Sequence, residues 1–342
     1  MKTAIILFNL GGPSDLDAVR PFLFNLFNDP AIIDLPRPVR WLLARLVSGR
    51  RAPVAREIYS KIGGGSPLLA NTKLQAAALE QALGPDFKCF IVMRYWHPRA
   101  AEQARAVRAW RPDRTILLPL YPQFSSTTTA SSVREWRAMS ARAGLDVPET
   151  MLCCYPTEPG FVAATVQRVR EGLGDLPSSP SPRLLFSAHG LPQKIVDAGD
   201  PYQYQVEQSV AAVVAGLRRP DLDHVVCYQS RVGPLKWLQP STEAEIRRAG
   251  TDRVPVIVVP IAFVSEHSET LVELDIEYRE LAHECGVPAY VRVPTVDALP
   301  PFIDGLAGQV RRVSSAQATI CSGVGDRFCP AGSRLCAFAT RN

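Results

Sequence analysis

The chain is predicted to be an α/β protein of two similar doubly wound domains, each on a parallel four-stranded sheet, and three observations predict it. Short apolar runs rich in β-branched residues alternate with longer stretches of helical period, the pattern of parallel strands covered on both faces. The two halves repeat one another: Leu7-Phe8-Asn9-Leu10-Gly11-Gly12-Pro13 is matched by Leu185-Phe186-Ser187-Ala188-His189-Gly190-Leu191-Pro192, and Leu117-Leu118-Pro119 by Val258-Val259-Pro260, each triplet leading into a polar helix start. The 342 residues also suit two domains, at roughly 100–200 residues each.

The first strand, residues 3–10, stops at Gly11-Gly12-Pro13 without a cleavage signature, so no signal peptide is expected. Residues 19–52 then break the alternation. Phe22, Leu23, Phe24, Leu26, Phe27, Trp41, Leu42, Leu43 and Leu46 are interleaved there with Arg37, Arg40, Arg45, Arg50 and Arg51, which reads as an apolar lip with a basic rim. Strands over 87–93, 114–120 and 150–155 complete a first domain at 1–156. Helical periodicity covers 100–110. The proline-rich loop 177–182 leads to strands over 183–188, 224–229, 254–262 and 289–293, with helices over 161–173, 204–217 and 268–285. These elements form the second domain, 157–310, and leave residues 311–342 as a tail.

Composition narrows the function classes. Hydrophobic residues are 46% and charged residues 21%, as in soluble globular proteins, which argues against disordered or fibrous classes. A net charge of +5 is too mild to point to nucleic acid, and no apolar run approaches the roughly 18 residues of a membrane span. Cys89, Cys153, Cys154, Cys227 and Cys285 lie in or beside apolar segments, where a thiol is a small buried hydrophobe. Cys321, Cys329 and Cys336 instead cluster in the tail, whose small apolar content predicts a flexible segment. A cytoplasmic chain without a secretory signal is not expected to form disulfides, so a metal or cluster is the livelier reading of those three thiols.

In open α/β sheets ligands bind beyond the carboxyl ends of the strands, so the residues just after each strand carry the candidate chemistry, in a cleft expected between the domains. His189 follows the strand at 183–188, and Arg94-Tyr95 follows the strand at 87–93. The most informative stretch runs from Ser265 to Glu277. Read as an α-helix, it lines Glu266, Glu269, Glu273 and Glu277 along one face beside His267. Carboxylates leading to an imidazole suit a divalent cation passing from oxygen ligands to a nitrogen site. Gly63-Gly64-Gly65-Ser66-Pro67 matches neither a dinucleotide fingerprint nor a P-loop, and no nucleophile elbow is present.

Nearly the whole chain resembles the ferrochelatases, enzymes that insert ferrous iron into a porphyrin. The resemblance rests on Leu-Phe-Ser-Ala-His-Gly-Leu-Pro at 185–192, Gly-Asp-Pro-Tyr at 199–202, Gln-Ser-Arg-Val-Gly-Pro at 229–234 with Trp237, and Pro-Ile-Ala-Phe-Val-Ser-Glu-His-Ser-Glu-Thr-Leu-Val-Glu at 260–273. Ile-Gly-Gly-Gly-Ser-Pro at 62–67, Met-Arg-Tyr at 93–95 and Leu-Tyr-Pro-Gln-Phe-Ser at 120–125 add to it. It implies a lyase with Fe2+ and a porphyrin, protoporphyrin IX or coproporphyrin III, as substrates. It implies His189 and Glu269 as the facing pair at the metal, and Glu266, His267, Glu273 and Glu277 as a metal or proton path. Arg51, Tyr59, Ser66, Arg94, Tyr95, Tyr121 and Trp237 are implied as porphyrin contacts.

Other readings are a cobalt or nickel tetrapyrrole chelatase and a non-catalytic haem or porphyrin carrier. Some ferrochelatases hold a [2Fe-2S] cluster on C-terminal cysteines. That implies Cys321, Cys329 and Cys336 as ligands here, in a Cys-x7-Cys-x6-Cys spacing, with Cys153 or Cys154 as the fourth. The lip predicts peripheral contact with a membrane. Nothing in the sequence sets an oligomeric state.

Overall fold

A computed structural model describes residues 1–176, 180–231 and 235–339. Residues 177–179 of the expected inter-domain loop and 232–234 of the Gln-Ser-Arg-Val-Gly-Pro motif lie outside the described residues. Two compact units divide the chain. One holds Met1–Tyr121, Ser125–Cys153 and Val310–Cys321; the other holds Pro122–Phe124, Cys154–Gln309 and the residues from Ser322 onward.

Among the described residues the strands are β1 (Thr3–Asn9), β2 (Phe87–Met93), β3 (Arg114–Pro119), β4 (Glu149–Leu152), β5 (Arg183–His189), β6 (His224–Gln229), β7 (Val256–Pro260), β8 (Tyr290–Arg292) and β9 (Ile320–Cys321). The first unit's sheet has the order β2-β1-β3-β4-β9 and the second's β6-β5-β7-β8, all parallel. The central strands are apolar along their whole length because both faces are covered; every residue of β1 and of β7 is buried. Leaving β9 aside, the two orders are the same, as the sequence repeat leads one to expect. In each sheet the chain crosses first to one side of the opening strand and then to the other. That reversal places a switch point beyond the carboxyl ends of β1 and β3, and another beyond β5 and β7.

The first sheet has five strands where four were expected, because the tail supplies β9. β4 would otherwise be an open edge, with unpaired backbone groups on one side. Met151 N–H donates to Thr319 O at 2.9 Å and Cys153 N–H to Cys321 O at 2.8 Å, closing that side. The tail is likewise packed where flexibility was expected. Cys321, Cys329 and Cys336 are 3%, 6% and 2% exposed. Polar ties replace the missing apolar mass: Leu335 N–H donates to Gly199 O at 3.1 Å, and Gln205 Nε2 donates to Cys329 Sγ at 3.0 Å.

The lip forms α1 (Val19–Phe27) and α2 (Arg37–Ser60). Its apolar residues divide between two surroundings. Val19, Phe22 and Leu23 pack with Ala52, Tyr59 and Tyr95 into a core, whereas Ile32, Leu35, Val39, Trp41, Leu42 and Leu46 are exposed. No helix of the described residues is long and apolar enough to cross a membrane.

Candidate active site

β5 delivers His189 to the carboxyl edge of the second unit's sheet, and the next residue fixes the ring. Gly190 N–H donates to Gln229 O at 2.8 Å, so closely that a Cβ at position 190 would stand 2.7 Å from that oxygen. Only glycine fits. His189 Nδ1 lies 2.7 Å from Gly190 O, and since a carbonyl only accepts, Nδ1 carries the proton. The ring thereby turns its Nε2 toward Glu269 Oε1, 3.6 Å away. Trp237 flanks the same turn, bridged to Pro192 by backbone pairing.

Glu269 stands between two imidazoles. His267 Nδ1 donates to Ser265 O at 3.1 Å, which leaves Nε2 toward Glu269 Oε2 at 3.0 Å. A lone pair facing a carboxylate repels it, so this contact calls for a proton. Burial works to lower the His267 pKa, but the hydrogen bond and charge of Glu269 win and raise it. Burial likewise works to raise Glu269, but His189, the His267 hydrogen bond and the His267 charge hold it down to about 2. Glu269 is thus a carboxylate throughout the neutral range, with His267 favoured as its cation.

The expected α-helix from Ser265 is a π-helix over Glu269–Glu277, and Glu266 and His267 precede it in the loop after β7. π-Segments concentrate at functional sites, and here one carries Glu269 and Glu273 inward. Glu273 accepts from Ser230 N–H at 2.8 Å, Tyr278 Oη at 3.0 Å and Gln229 Nε2 at 3.3 Å, and also from the Ser230 hydroxyl. Ser230 holds a left-handed φ of +60° to make two of those bonds, local strain of the kind found at functional sites. Burial and the neighbouring Glu269 raise the Glu273 pKa.

The other two carboxylates of the expected ladder are elsewhere. Glu277 is exposed at the far end of the π-helix. Glu266 turns to Arg292, whose Nη1 lies 2.6 Å from its Oε1, and takes Thr295 N–H at 2.9 Å. A common helical face for all four residues fails because the chain is not yet helical at 266, and a buried guanidinium draws that side chain away.

In the first unit, Tyr59 and Ser66 meet at Gly12. A Cβ there would lie 2.4 Å from Ser66 Cβ and 3.9 Å from Tyr59 Oη. Of the glycine run, Gly65 is the closely packed one, a Cβ there lying 2.4 Å from Ser14 O, while Gly63 and Gly64 hold left-handed φ values of +90° and +91°; Ser66 N–H donates to Pro13 O at 2.8 Å. Arg51 is exposed on α2. Arg94 and Tyr95 converge on a buried carboxylate absent from the sequence reading. Asp29 Oδ2 accepts from Arg94 Nη2 at 2.7 Å, Tyr95 Oη at 2.8 Å and Ser131 Oγ at 2.8 Å, while Arg94 Nη1 donates to Glu135 at 2.9 Å. Tyr121 is the neighbour of Ser132 and Arg94. The one signal that marked Asp29 was its place in Asn28-Asp29-Pro30, a turn sequence.

Two of the tail cysteines interact with one another. The Cys329 thiol donates to Cys336 Sγ, which outweighs burial and, with the Phe338 N–H and the Arg327 charge, pushes Cys336 down to about 6. Cys154 is close enough to act on Cys329 electrostatically. In kind these buried sulfurs fit cluster ligation, although among the described residues no group of three or more His, Cys, Asp or Glu is arranged to hold a metal ion.

The ferrochelatase family model matches residues 2–314. A ferrochelatase of Caulobacter vibrioides (strain NA1000 / CB15N) is 55% identical over 332 residues, covering 95% of this chain and 94% of that protein. A ferrochelatase of Pelagibacter ubique is 50% identical, covering 90% of each. Among solved structures, the sirohydrochlorin chelatase SirB from Bacillus subtilis subspecies spizizenii with cobalt aligns at TM-score 0.52 and 12% identity, over 92% of this chain and 95% of that one. That likeness is one of fold.

Proposed function

The chain belongs to the ferrochelatase family, and from that premise we propose that His189, Glu269 and His267 are where it carries out the family's reaction. That reaction is a lyase-type insertion of Fe2+ into a porphyrin to make haem. The observation that carries the assignment is His189 Nε2 facing, at 3.6 Å, a carboxylate held anionic. A free-base porphyrin keeps two N–H protons where the metal must go. His189 Nε2 accepts a ring proton, and the imidazolium so formed lies beside Glu269, which offsets its charge. Glu269 also offers a hard oxygen to Fe2+ as the metal sheds water, and Glu273 is the next carboxylate inward for a departing proton. Two N–H bonds break and four Fe–N bonds form, so the haem product carries no net charge at its centre. Arg51, Tyr59, Ser66, Arg94, Tyr95, Tyr121 and Trp237 are assigned to the porphyrin, Arg94 and Tyr95 being joined through Asp29.

The family match disfavours a cobalt or nickel chelatase, and a carrier has no use for a base opposite a carboxylate. The test is the absorption spectrum after anaerobic incubation with Fe2+ and protoporphyrin IX or coproporphyrin III. Conversion to a haem spectrum identifies the substrate. Porphyrin bound but unconverted in both cases would sink the site assignment.

The exposed side of the lip supports peripheral membrane contact. Val39, Trp41, Leu42 and Leu46 stand beside the exposed Arg37, Arg45, Arg50 and Arg51, and the Arg45 guanidinium lies 5.7 Å from the Trp41 ring centre. Apolar side chains enter the acyl boundary while arginines meet anionic headgroups. We expect co-sedimentation with anionic vesicles that falls at least about tenfold in a Trp41→Ser/Leu42→Ser variant; equal binding by variant and wild type would exclude the lip. Eight free thiols suit a cytoplasmic setting.

Cys321, Cys329 and Cys336 with Cys154 are proposed to hold a [2Fe-2S] cluster. The support is the Cys329–Cys336 pair and its proximity to Cys154. When bound, such a cluster supplies a redox-active centre. Anaerobically purified protein is expected to be reddish-brown, with visible absorption lost in Cys336→Ser. Colourless protein with stoichiometric zinc, or with neither metal, overturns the cluster.

A further inference from the structure

Arg292 is an enclosed cation beside the site, and no step of the reaction above uses it. It ends β8, and its side chain is 7% exposed. Its two terminal nitrogens serve different segments. Nη1 donates to Glu266 Oε1 at 2.6 Å in the loop after β7, and Nη2 donates to Asp275 Oδ2 at 2.8 Å on the π-helix. Asp275 is steadied on its other side by Arg279 Nη2 at 2.6 Å, and Glu266 by Thr295 N–H at 2.9 Å. A single planar guanidinium thus spans the segment that carries both His267 and Glu269, gripping it one residue before His267 and six residues after Glu269. Only a forked donor can do this; an ammonium is a point charge without the second arm.

His267 has no comparable anchor of its own. Its backbone N–H donates to Thr270 Oγ1 at 3.0 Å, inside the spanned segment, and its Nδ1 to Ser265 O at 3.1 Å, in the residue just before that segment. The ring of Phe263 packs on it at 4.5 Å between centres. Where the His267–Glu269 pair stands relative to His189 on β5 therefore depends on where the segment is held, against β8 through Arg292 and against Ser230 through Glu273.

We propose that Arg292 is the positioning residue for iron delivery: through Glu266 and Asp275 it sets the place of the His267–Glu269 pair opposite His189. Glu266 is then a strut, not a stop on the metal's path. This rests on the assignment of Glu269 to iron. It predicts that loss of the clamp weakens use of Fe2+ selectively, because the porphyrin contacts assigned above do not touch it. Glu266 and Arg292 act as one device, so breaking either end removes the same function.

The experiment is steady-state insertion under anaerobic conditions, with Fe2+ and porphyrin varied separately, for wild type, Arg292→Met, Arg292→Lys, Glu266→Gln, the Arg292→Met/Glu266→Gln double variant and Glu269→Gln. Arg292→Met is expected to raise the Fe2+ KM about tenfold while the porphyrin KM stays within about twofold. Arg292→Lys should recover part of that loss. The double variant should be no worse than Arg292→Met alone, the non-additivity of residues that share one contact. Unchanged kinetics in Arg292→Met overturn the proposal. So do parallel rises in both KM values, a double variant showing the product of the single effects, or an Arg292→Met chain that does not fold while Arg292→Lys and Glu266→Gln behave as wild type. Glu269→Gln separates the two levels: if it retains full turnover, the site assignment itself fails, whereas if it is inactive and Arg292→Met is normal, only the clamp fails.

Discussion

His189→Ala lowers iron insertion about 10³-fold, near the middle of the range for removing a positioned general base, and leaves the protein folded. The side chain is 41% exposed, so truncation deletes a base and little core. The structural part of the turn belongs to Gly190, whose backbone meets Gln229, and that part survives. Single-turnover mixing of enzyme, porphyrin and Fe2+ gives the rate, and thermal unfolding checks the fold. A variant within about threefold of wild type would remove His189 from the role of base.

Glu269→Gln is expected to cost at least about 10²-fold in turnover, whereas Glu277→Gln should stay within about twofold of wild type. The two carboxylates share a helix but not an environment. Glu269 is enclosed between His189 and His267, while Glu277 is exposed to water. The amide keeps the shape of Glu269 and removes its charge, which strips His267 of the partner that raises its pKa. The pH dependence has a definite sign. Held down to about 2 against an ordinary 4.5, Glu269 adds stability that is fully present above the unfolded value and lost as pH falls toward 2. For His267 the sign is opposite: its contribution is complete below 6.5 and is lost as pH rises through the higher folded value. Comparing wild type with Glu269→Gln in denaturant titrations across pH exposes both limbs. Equal kinetic losses at 269 and 277 would discard the distinction.

The cysteines and the lip show how far local pattern carries and where it stops. Cys321, Cys329 and Cys336 were visible as a polar-tail cluster, but their burial was not. It comes from a strand edge and from Gln205 and Gly199, partners more than a hundred residues away in sequence. In the lip, Phe22 and Trp41 have similar hydrophobicity, yet Phe22 lies in the core and Trp41 is exposed. Only the packing of α1 and α2 decides which apolar face is covered.

By itself the sequence determined the α/β class, the repeat, the strands β1–β8 and the position of His189 at a strand end, because those follow from residue type at short period. It also marked the stretch from Ser265 to Glu277 as the chemical one. The tertiary structure alone decided that Glu266 and His267 precede a π-helix, that Glu266 turns to Arg292, that Asp29 gathers Arg94 and Tyr95, and that Glu269 is ionised between two imidazoles. A helical wheel assumes one residue-to-residue rotation. A buried charge instead goes where a counter-charge compensates its lost hydration, and that partner is set by strand order across the sheet.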